Sequence, residues 1–483
     1  MNANASYRSH FIIFSSIFLL FIFVGCYTEQ YWIALFPFGL LLAYYGVQNL
    51  AFVFLLLLFS LPWSVEYNFN PTLGTNLPDE PFMILTGGLA VAYLIWKPAE
   101  IKPGFRHLLF VLLVIHFIWT GFTALFSSDE FVSMKFLLAK SWYLAAFVLT
   151  PLILFRNKQM IRRAAIVFAI SAMIVTIIIV FRQYQFNWKF GKINDSVAPF
   201  FRNHVNYSSM LVCTVPVWIA IRILYKTNKI TRFAAFVFIL FIVAALFFSY
   251  SRGAWMALLA GLITYWLIRK KLLLVTFIIG VIAITLSFLW LGANDRYLKY
   301  AHDYKTTIFH TDFREHLAAT YKLKDVSTAE RFNRWIAGVR MIKDNWLTGY
   351  GPNTFYDNYK PYAVPAFKTW VSKNEDHSTV HNYFLLMLIE QGLPGLLFFL
   401  ILCGAMLFYA QHLYHRVKDL FYRIVAMTTG VLLVMIFTVN FLSDLIESDK
   451  VGSLFFLCLG LLITTDLNTK EKKYGSSNFS SHI

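Results

Sequence analysis

The sequence predicts an all-α polytopic membrane protein of about 12–14 transmembrane helices, and three observations predict it. Of 483 residues, 58% are hydrophobic and only 14% are charged, against about 25% charged in an average soluble protein. The apolar residues gather in about fourteen runs, many close to the twenty or so that cross a bilayer as a helix. Lysine and arginine, which give a net charge of +17, recur in alternate loops between these runs. This composition excludes an ordinary soluble domain and a disordered chain. Four cysteines, Cys26, Cys213, Cys403 and Cys458, stand singly and mostly inside apolar runs, so they read as buried thiols.

The runs fall near 11–25, 31–46, 48–63, 82–97, 107–126, 138–155, 164–181, 207–222, 233–250, 254–268, 272–292, 382–409, 422–441 and 451–465. If all fourteen alternate, one side collects Lys97, Lys102 and Arg106, then Arg156, Lys158, Arg162 and Arg163, then Arg222, Lys226, Lys229 and Arg232. Arg269, Lys270, Lys271, Arg416, Lys418, Arg423, Lys470, Lys472 and Lys473 join them. By the positive-inside rule that side is the cytoplasm, and both termini lie there. The opposite loop 64–81 carries Glu66, Asp79 and Glu80 without lysine or arginine. Phe23-Val24-Gly25-Cys26 faintly imitates a lipoprotein processing site, but Phe23 is large for that role and cleavage would break the alternation; an ordinary first span is the expectation.

The chain divides accordingly into an N-terminal bundle (1–292), an outer connection (293–380), C-terminal spans (381–466) and a cytoplasmic tail (467–483). The long connection is expected to fold. Ser327 and Glu330 make a capping box, and Phe332, Trp335, Ile336, Val339 and Ile342 recur at helical spacing, which predicts an amphipathic helix over about 328–346. Its apolar stripe is expected on the membrane surface. Gly349-Tyr350-Gly351-Pro352-Asn353 then supplies turn chemistry.

Basic residues on the outer side run against the charge bias. Arg202, Arg252, Arg331, Arg334 and Arg340 are all placed there, with Arg252 in the near-absent loop Tyr250-Ser251-Arg252-Gly253. An arginine at such depth either snorkels to lipid headgroups or meets an anion. Arg202 and His204 precede one span, and His381 and Asn382 stand where the long connection re-enters the membrane. Arginine grips phosphate through a planar fork, and histidine suits removal of a proton from a hydroxyl. Together these residues suit a transferase that uses a lipid-linked diphosphate sugar, with arginine in place of a metal to balance the leaving group.

Ser251-Arg252-Gly253, the stretch from Arg331-x-x-x-Trp335 to Gly349-Tyr350-Gly351-Pro352-Asn353-Thr354-Phe355, and His381-Asn382-Tyr383-Phe384-Leu385 followed by Glu390-Gln391-Gly392-Leu393-Pro394-Gly395 resemble the O-antigen ligase and polymerase superfamily. The resemblance covers about 200–400. It implies a GT-C-like helical fold with an active site facing the periplasm, and glycan transfer from undecaprenyl diphosphate with no metal or other cofactor. The acceptor it implies is lipid A-core or a growing polysaccharide, with membrane lipids as surroundings and no nucleic acid. By the resemblance Arg252 and Arg331 contact the diphosphate, and His381 is the general base or orients the acceptor. Arg202, His204, Arg334, Asn382 and Tyr350 are the expected substrate contacts. Arg202 corresponds to a further family arginine, whereas His204-Val205-Asn206 departs from the family's proline-asparagine pattern.

Other readings of these residues stay open. His377 and His381, four apart, form a conceivable metal pair with Glu375 and Asp376 nearby, and either carboxylate is an alternative base. Glu390, inside a span, is read as a polar contact between helices beside the Gly-Pro break. A transporter or flippase of lipid-linked glycans would share the spans and the cationic surface, but its ionisable groups would gather near the midplane. Within the enzyme class, ligase, polymerase and protein O-oligosaccharyltransferase share donor handling, and the lean is to ligase.

Overall fold

The computed structural model describes residues 3–29, 33, 36–70, 73–294, 296, 326–364 and 379–475. Helices dominate throughout. The N-terminal part carries α1 (Ala3–Tyr27), α2 (Phe36–Gln48), α3 (Leu50–Ser60), α4 (Asp79–Trp96), α5 (Pro98–Phe105), α6 (Leu108–Leu125) and α7 (Glu130–Leu144). It continues with α8 (Thr150–Leu154), α9 (Lys158–Gln185), α10 (Ile193–Val197), α11 (His204–Leu224), α12 (Lys229–Phe248), α13 (Arg252–Arg269) and α14 (Leu273–Gly292). Beyond the long connection's first part come α15 (Val326–Asp344), α16 (Phe355–Asn358), α17 (Tyr383–Arg416), α18 (Leu420–Phe441) and α19 (Asp449–Gly475).

Among the described residues, a helix overlaps each of the fourteen apolar runs, and nine helices are long and apolar enough to cross a membrane. One of these is Glu130–Leu154, in which α7 and α8 continue through a π-helical turn at Ala145–Leu149. Helices α4 and α5 qualify as a pair bent by 107°, and Phe11–Tyr27 and Leu50–Trp63 are shorter apolar helices. The fold class is therefore the expected one, with several N-terminal runs giving short or bent helices. Asparagine and aspartate start many of them: Asn157, Asn203, Asn228, Asn382 and Asp419 each accept a backbone N–H of the first turn.

Spans α11, α18 and α19 form the centre, with 78, 72 and 78% of their apolar windows buried. Helix α14 lies at the edge, with 6% buried. The loop 64–81 holds a two-stranded antiparallel hairpin, β1 (Val65–Asn70) and β2 (Leu73–Leu77), with Val65 opposite Leu77 and Tyr67 opposite Thr75. The alternation Val65-Glu66-Tyr67-Asn68-Phe69 carries the period-2 signal of such a strand.

The amphipathic helix forms where its spacing predicts, but its stripe faces protein. Trp335 packs against Phe288 of α14 and Phe441 of α18, each with ring centroids 6.0 Å away. Gly338 lies so close to α17 that an added Cβ would come within 2.5 Å of Ile389 Cδ1. Part of the stripe expected on the membrane surface is thus taken up by contacts with α14, α17 and α18. Trp335 and Val339 pack against the main apolar core, whereas Phe332 packs beside Ile336 and Val364 of the same connection, and all three are half-buried.

Candidate active site

The site forms where α15, the entrance to α17 and the α18–α19 turn meet. Asn382 caps α17 by accepting the Leu385 N–H at 3.0 Å, and Tyr383 N–H donates to Ser443 O at 3.0 Å. These bonds fix the residue before the cap, His381, in left-handed backbone space with φ +53°, a sparsely populated region for a residue with a Cβ. Helix α15 clamps the same segment. Arg334 Nη1 donates to Thr379 O at 2.9 Å, and Trp335 Nε1 donates to Val380 O at 3.0 Å.

Arg334 Nη1 also lies 3.2 Å from His381 Nε2. Arginine has no acceptor, so Nε2 must be the lone-pair nitrogen and the proton of the neutral ring sits on Nδ1. Nδ1 faces Asp444 Oδ1 at 3.9 Å, which is ion-pair distance and too long for a hydrogen bond. Asp444 Oδ2 accepts the Thr379 hydroxyl, whose oxygen in turn accepts the His381 N–H at 3.3 Å. Crowding by protein depresses the His381 pKa; Asp444 opposes that shift, and the Arg331 and Arg334 guanidiniums add to it. Burial alone would raise the Asp444 carboxyl, but its contacts with His381 and Thr379 outweigh burial and hold it below the usual carboxylate range.

Arg334 is 3% exposed and its Nη2 sits 3.5 Å from Glu330 Oε2, one turn earlier. Arg331, on the same turn, donates Nε to Leu442 O at 3.2 Å. Leu442 also borders the start of α13, where a Cβ on Gly253 would lie 4.0 Å from Leu442 Cδ1. Arg252, the first residue of α13, thus opens beside the turn that Arg331 grips. An apolar cavity of about 460 Å³, lined by Leu286, Ser287, Trp290, Leu291 and Phe332, lies between α14 and α15.

The remaining expected residues hold other positions. Arg202 Nη2 pairs with Glu66 of the hairpin at 3.0 Å, with both side chains exposed. His204 shares Asn194 Oδ1 through its backbone N–H and its Nδ1, both at 3.0 Å. Both follow closely on Phe200 in the chain, and Lys450 at the start of α19 donates to Phe200 O and to Ser64 O. They therefore share a face with His381 through the α18–α19 turn. Tyr350 hydrogen-bonds Tyr362 hydroxyl to hydroxyl at 2.8 Å, and Tyr362 donates to Asp344 at 2.5 Å. Glu390 accepts the N–H groups of Asn353 at 2.9 Å and Phe355 at 3.1 Å, so it ties the turn after α15 to the break in α17. Phe355 is the first residue of α16, so Glu390 joins α17 to the start of that short helix through main-chain N–H groups. His377, Glu375 and Asp376 lie outside the described residues.

Asp444 and Thr379 escape the sequence reading. The available signal was the acidic turn Ser443-Asp444-Leu445-Ile446-Glu447, placed on the same side as His381 by the alternation of spans.

Fold and site thus define a polytopic helical membrane protein with an arginine- and histidine-lined centre at one end of its bundle. Residues 234–400, about a third of the chain, match the Wzy_C family model, described as O-Antigen ligase. The match supports the O-antigen ligase superfamily, with its ligase- or polymerase-type glycan transfer. It takes in Arg252, Arg331, Arg334, Tyr350, His381 and Asn382, and it leaves out Arg202, His204 and Asp444. No curated protein matches the chain.

Proposed function

We propose that the protein is an O-antigen ligase-type glycosyltransferase of the bacterial inner membrane, moving a glycan from undecaprenyl diphosphate to lipid A-core at the periplasmic face. The observation that carries this reading is the meeting of Arg331, Arg334, His381 and Asp444 at one mouth of the bundle, within or beside the matched segment. Arg252 and Arg331 hold the diphosphate, and the cavity beside Phe332 takes the first isoprenoid units.

The acceptor hydroxyl attacks the anomeric carbon of the donor sugar. The bond from that carbon to the phosphate oxygen breaks, and the diphosphate leaves with the electron pair. His381 Nε2 takes the hydroxyl proton. To do so the acceptor hydroxyl shares Nε2 with the Arg334 donor or displaces it. The depressed pKa keeps the lone pair present near neutral pH, and Asp444 offsets the charge of the imidazolium that forms. The two guanidiniums stabilise the developing diphosphate charge, the part a divalent cation would otherwise play. Asp444 does not touch substrate in this scheme and is a positioning residue.

The test is the lipid profile of a strain that lacks the protein, complemented with wild type or His381→Ala. Bare lipid A-core together with long carrier-linked chains, reversed by wild type alone, is the expected result. Accumulation of single repeats would assign a polymerase instead. Normal surface glycan in the His381→Ala strain would remove the proposed base.

A further inference from the structure

Helix α11 starts at His204 on the face that holds the candidate site and ends at Leu224. Its 21 residues cover about 30 Å, so Tyr225 emerges on the opposite membrane face. There, between Tyr225 and the first turns of α9, lies a cavity of about 500 Å³ lined by Asn157, Lys158, Gln159, Arg162, Arg163 and Ile166 besides Tyr225. Three of the seven lining residues are cations and none is acidic. The general excess of basic residues on one membrane face explains their number. It does not explain a concave site whose walls they share.

The partners of these cations set their roles. Lys158 is paired with Asp419 and lies over the rings of Phe421 and Tyr422. That pair neutralises the nearby acid and leaves the two arginines to set the charge of the cavity. The Arg162 guanidinium carbon lies over the Phe421 ring, 5.1 Å from its centroid, a cation–π contact at an exposed position. Arg163, next to it, is exposed. The lining runs from Asn157 to Ile166, about 14 Å along α9 at the helical rise per residue. Its polar end lies at the helix start, and its one aliphatic residue lies deepest along the span.

A polar, doubly cationic mouth with Ile166 at its deep end and Tyr225 beside it matches an amphiphile with an anionic head. We propose that this cavity binds the phosphodiester headgroup of an anionic glycerophospholipid, with Arg162 and Arg163 on the phosphate and the first acyl carbons against Ile166. Anionic lipids concentrate in such a membrane face, and basic clefts between spans are where their headgroups dock. The site lies across the membrane from the glycan chemistry and stands whether or not the transfer reading holds.

The experiment uses the full chain in mild detergent, with native mass spectrometry after addition of phosphatidylglycerol, phosphatidylcholine or inorganic phosphate. Wild type should retain phosphatidylglycerol several-fold over phosphatidylcholine, and Arg162→Gln/Arg163→Gln should lose most of that preference. Lys226→Gln/Lys229→Gln removes the same charge from the adjoining loop, outside the cavity, and should keep the preference. Arg163→Gln alone, at an exposed position, covers the case in which the double variant does not fold and should weaken retention by itself. Equal losses in the loop and cavity variants would mean diffuse attraction and would overturn the site. Displacement of the lipid by inorganic phosphate would assign the cavity to the free anion and overturn the lipid assignment.

Discussion

Arg334 Nη1 and His381 Nε2 stand 3.2 Å apart, a guanidinium donating to the nitrogen that would receive a proton during transfer. The contact fixes the ring's tautomer, and its positive charge favours the neutral imidazole.

A pH dependence with a definite sign results. The proposed base would work only when unprotonated, so transfer should fall as pH drops through its pKa. Because the His381 pKa is depressed, the acid limb of the rate profile should lie below the ordinary histidine value of about 6.5. Arg334→Gln removes a cation that lowers the pKa, so the limb should move to higher pH. Asp444→Asn removes the group that raises it, so the limb should move lower while the maximal rate falls at least about tenfold. In vitro transfer measured across pH for wild type and both variants checks this, and a fixed limb in all three would remove His381 from the proton path.

Loss of the proposed base or of either proposed diphosphate contact should be severe. His381→Ala should cost on the order of 10²–10⁴-fold in rate. Arg252→Ala and Arg331→Ala should each abolish detectable transfer with membrane insertion unchanged. Arg252→Lys should fail as well if fork geometry matters more than charge. Glycan profiles of complemented strains, with immunoblots for expression, read the outcome.

The pair Glu330 and Arg334 predicts a stability effect separate from chemistry. Both side chains are nearly buried, and Arg334→Ala leaves the Glu330 carboxylate without its guanidinium. Truncating one partner of a buried pair costs about 3–5 kcal/mol. The melting temperature in detergent should drop clearly for Arg334→Ala and recover in part in Glu330→Gln/Arg334→Met, while transfer stays low in both.

The turn after α15 depends on two glycines. A Cβ at Gly351 (φ +100°) would come within 2.0 Å of Ser127 Oγ, and one at Gly392 (φ +69°) within 2.1 Å of Leu347 O. Gly351→Ala and Gly392→Ala should each destabilise the docked turn by at least about 1–3 kcal/mol. Limited proteolysis of the 345–364 region should accelerate in both.

Transfer should persist in excess chelator. Loss that a divalent cation restores would revive the His377 and His381 pair as a metal site.

What the sequence made legible follows from the range of each signal. Spans emerge because hydropathy is summed over some twenty residues, so a single polar residue does not erase them. Helix α15 was readable from Phe332, Trp335, Ile336, Val339 and Ile342 because its repeat is local. The face it turns to protein was not, since Gly338 meets Ile389 only after α17 has packed. Asp444 was missed because its partner Thr379 lies 65 residues away and a five-residue turn has no period. Arg202 and His381 were both placed on one face, which is all that parity of spans can give. Whether two residues on that face touch depends on helix packing angles. Arg202 in fact pairs with Glu66, 136 residues earlier.

The break in α17 at Gly392 leaves main-chain groups open about 14 Å into a span. The long connection fills them: Tyr350 and Gly351 donate their N–H groups to Ile389 O and Glu390 O, and Trp346 O accepts from Leu393. Trp119 of α6 takes the remaining carbonyl at Gln391. Lipid offers no substitute for these bonds. The long connection is therefore no detachable module. A graft of this segment from a related protein would have to bring its own matching amides, or the receiving helix would be left with bare carbonyls in hydrocarbon.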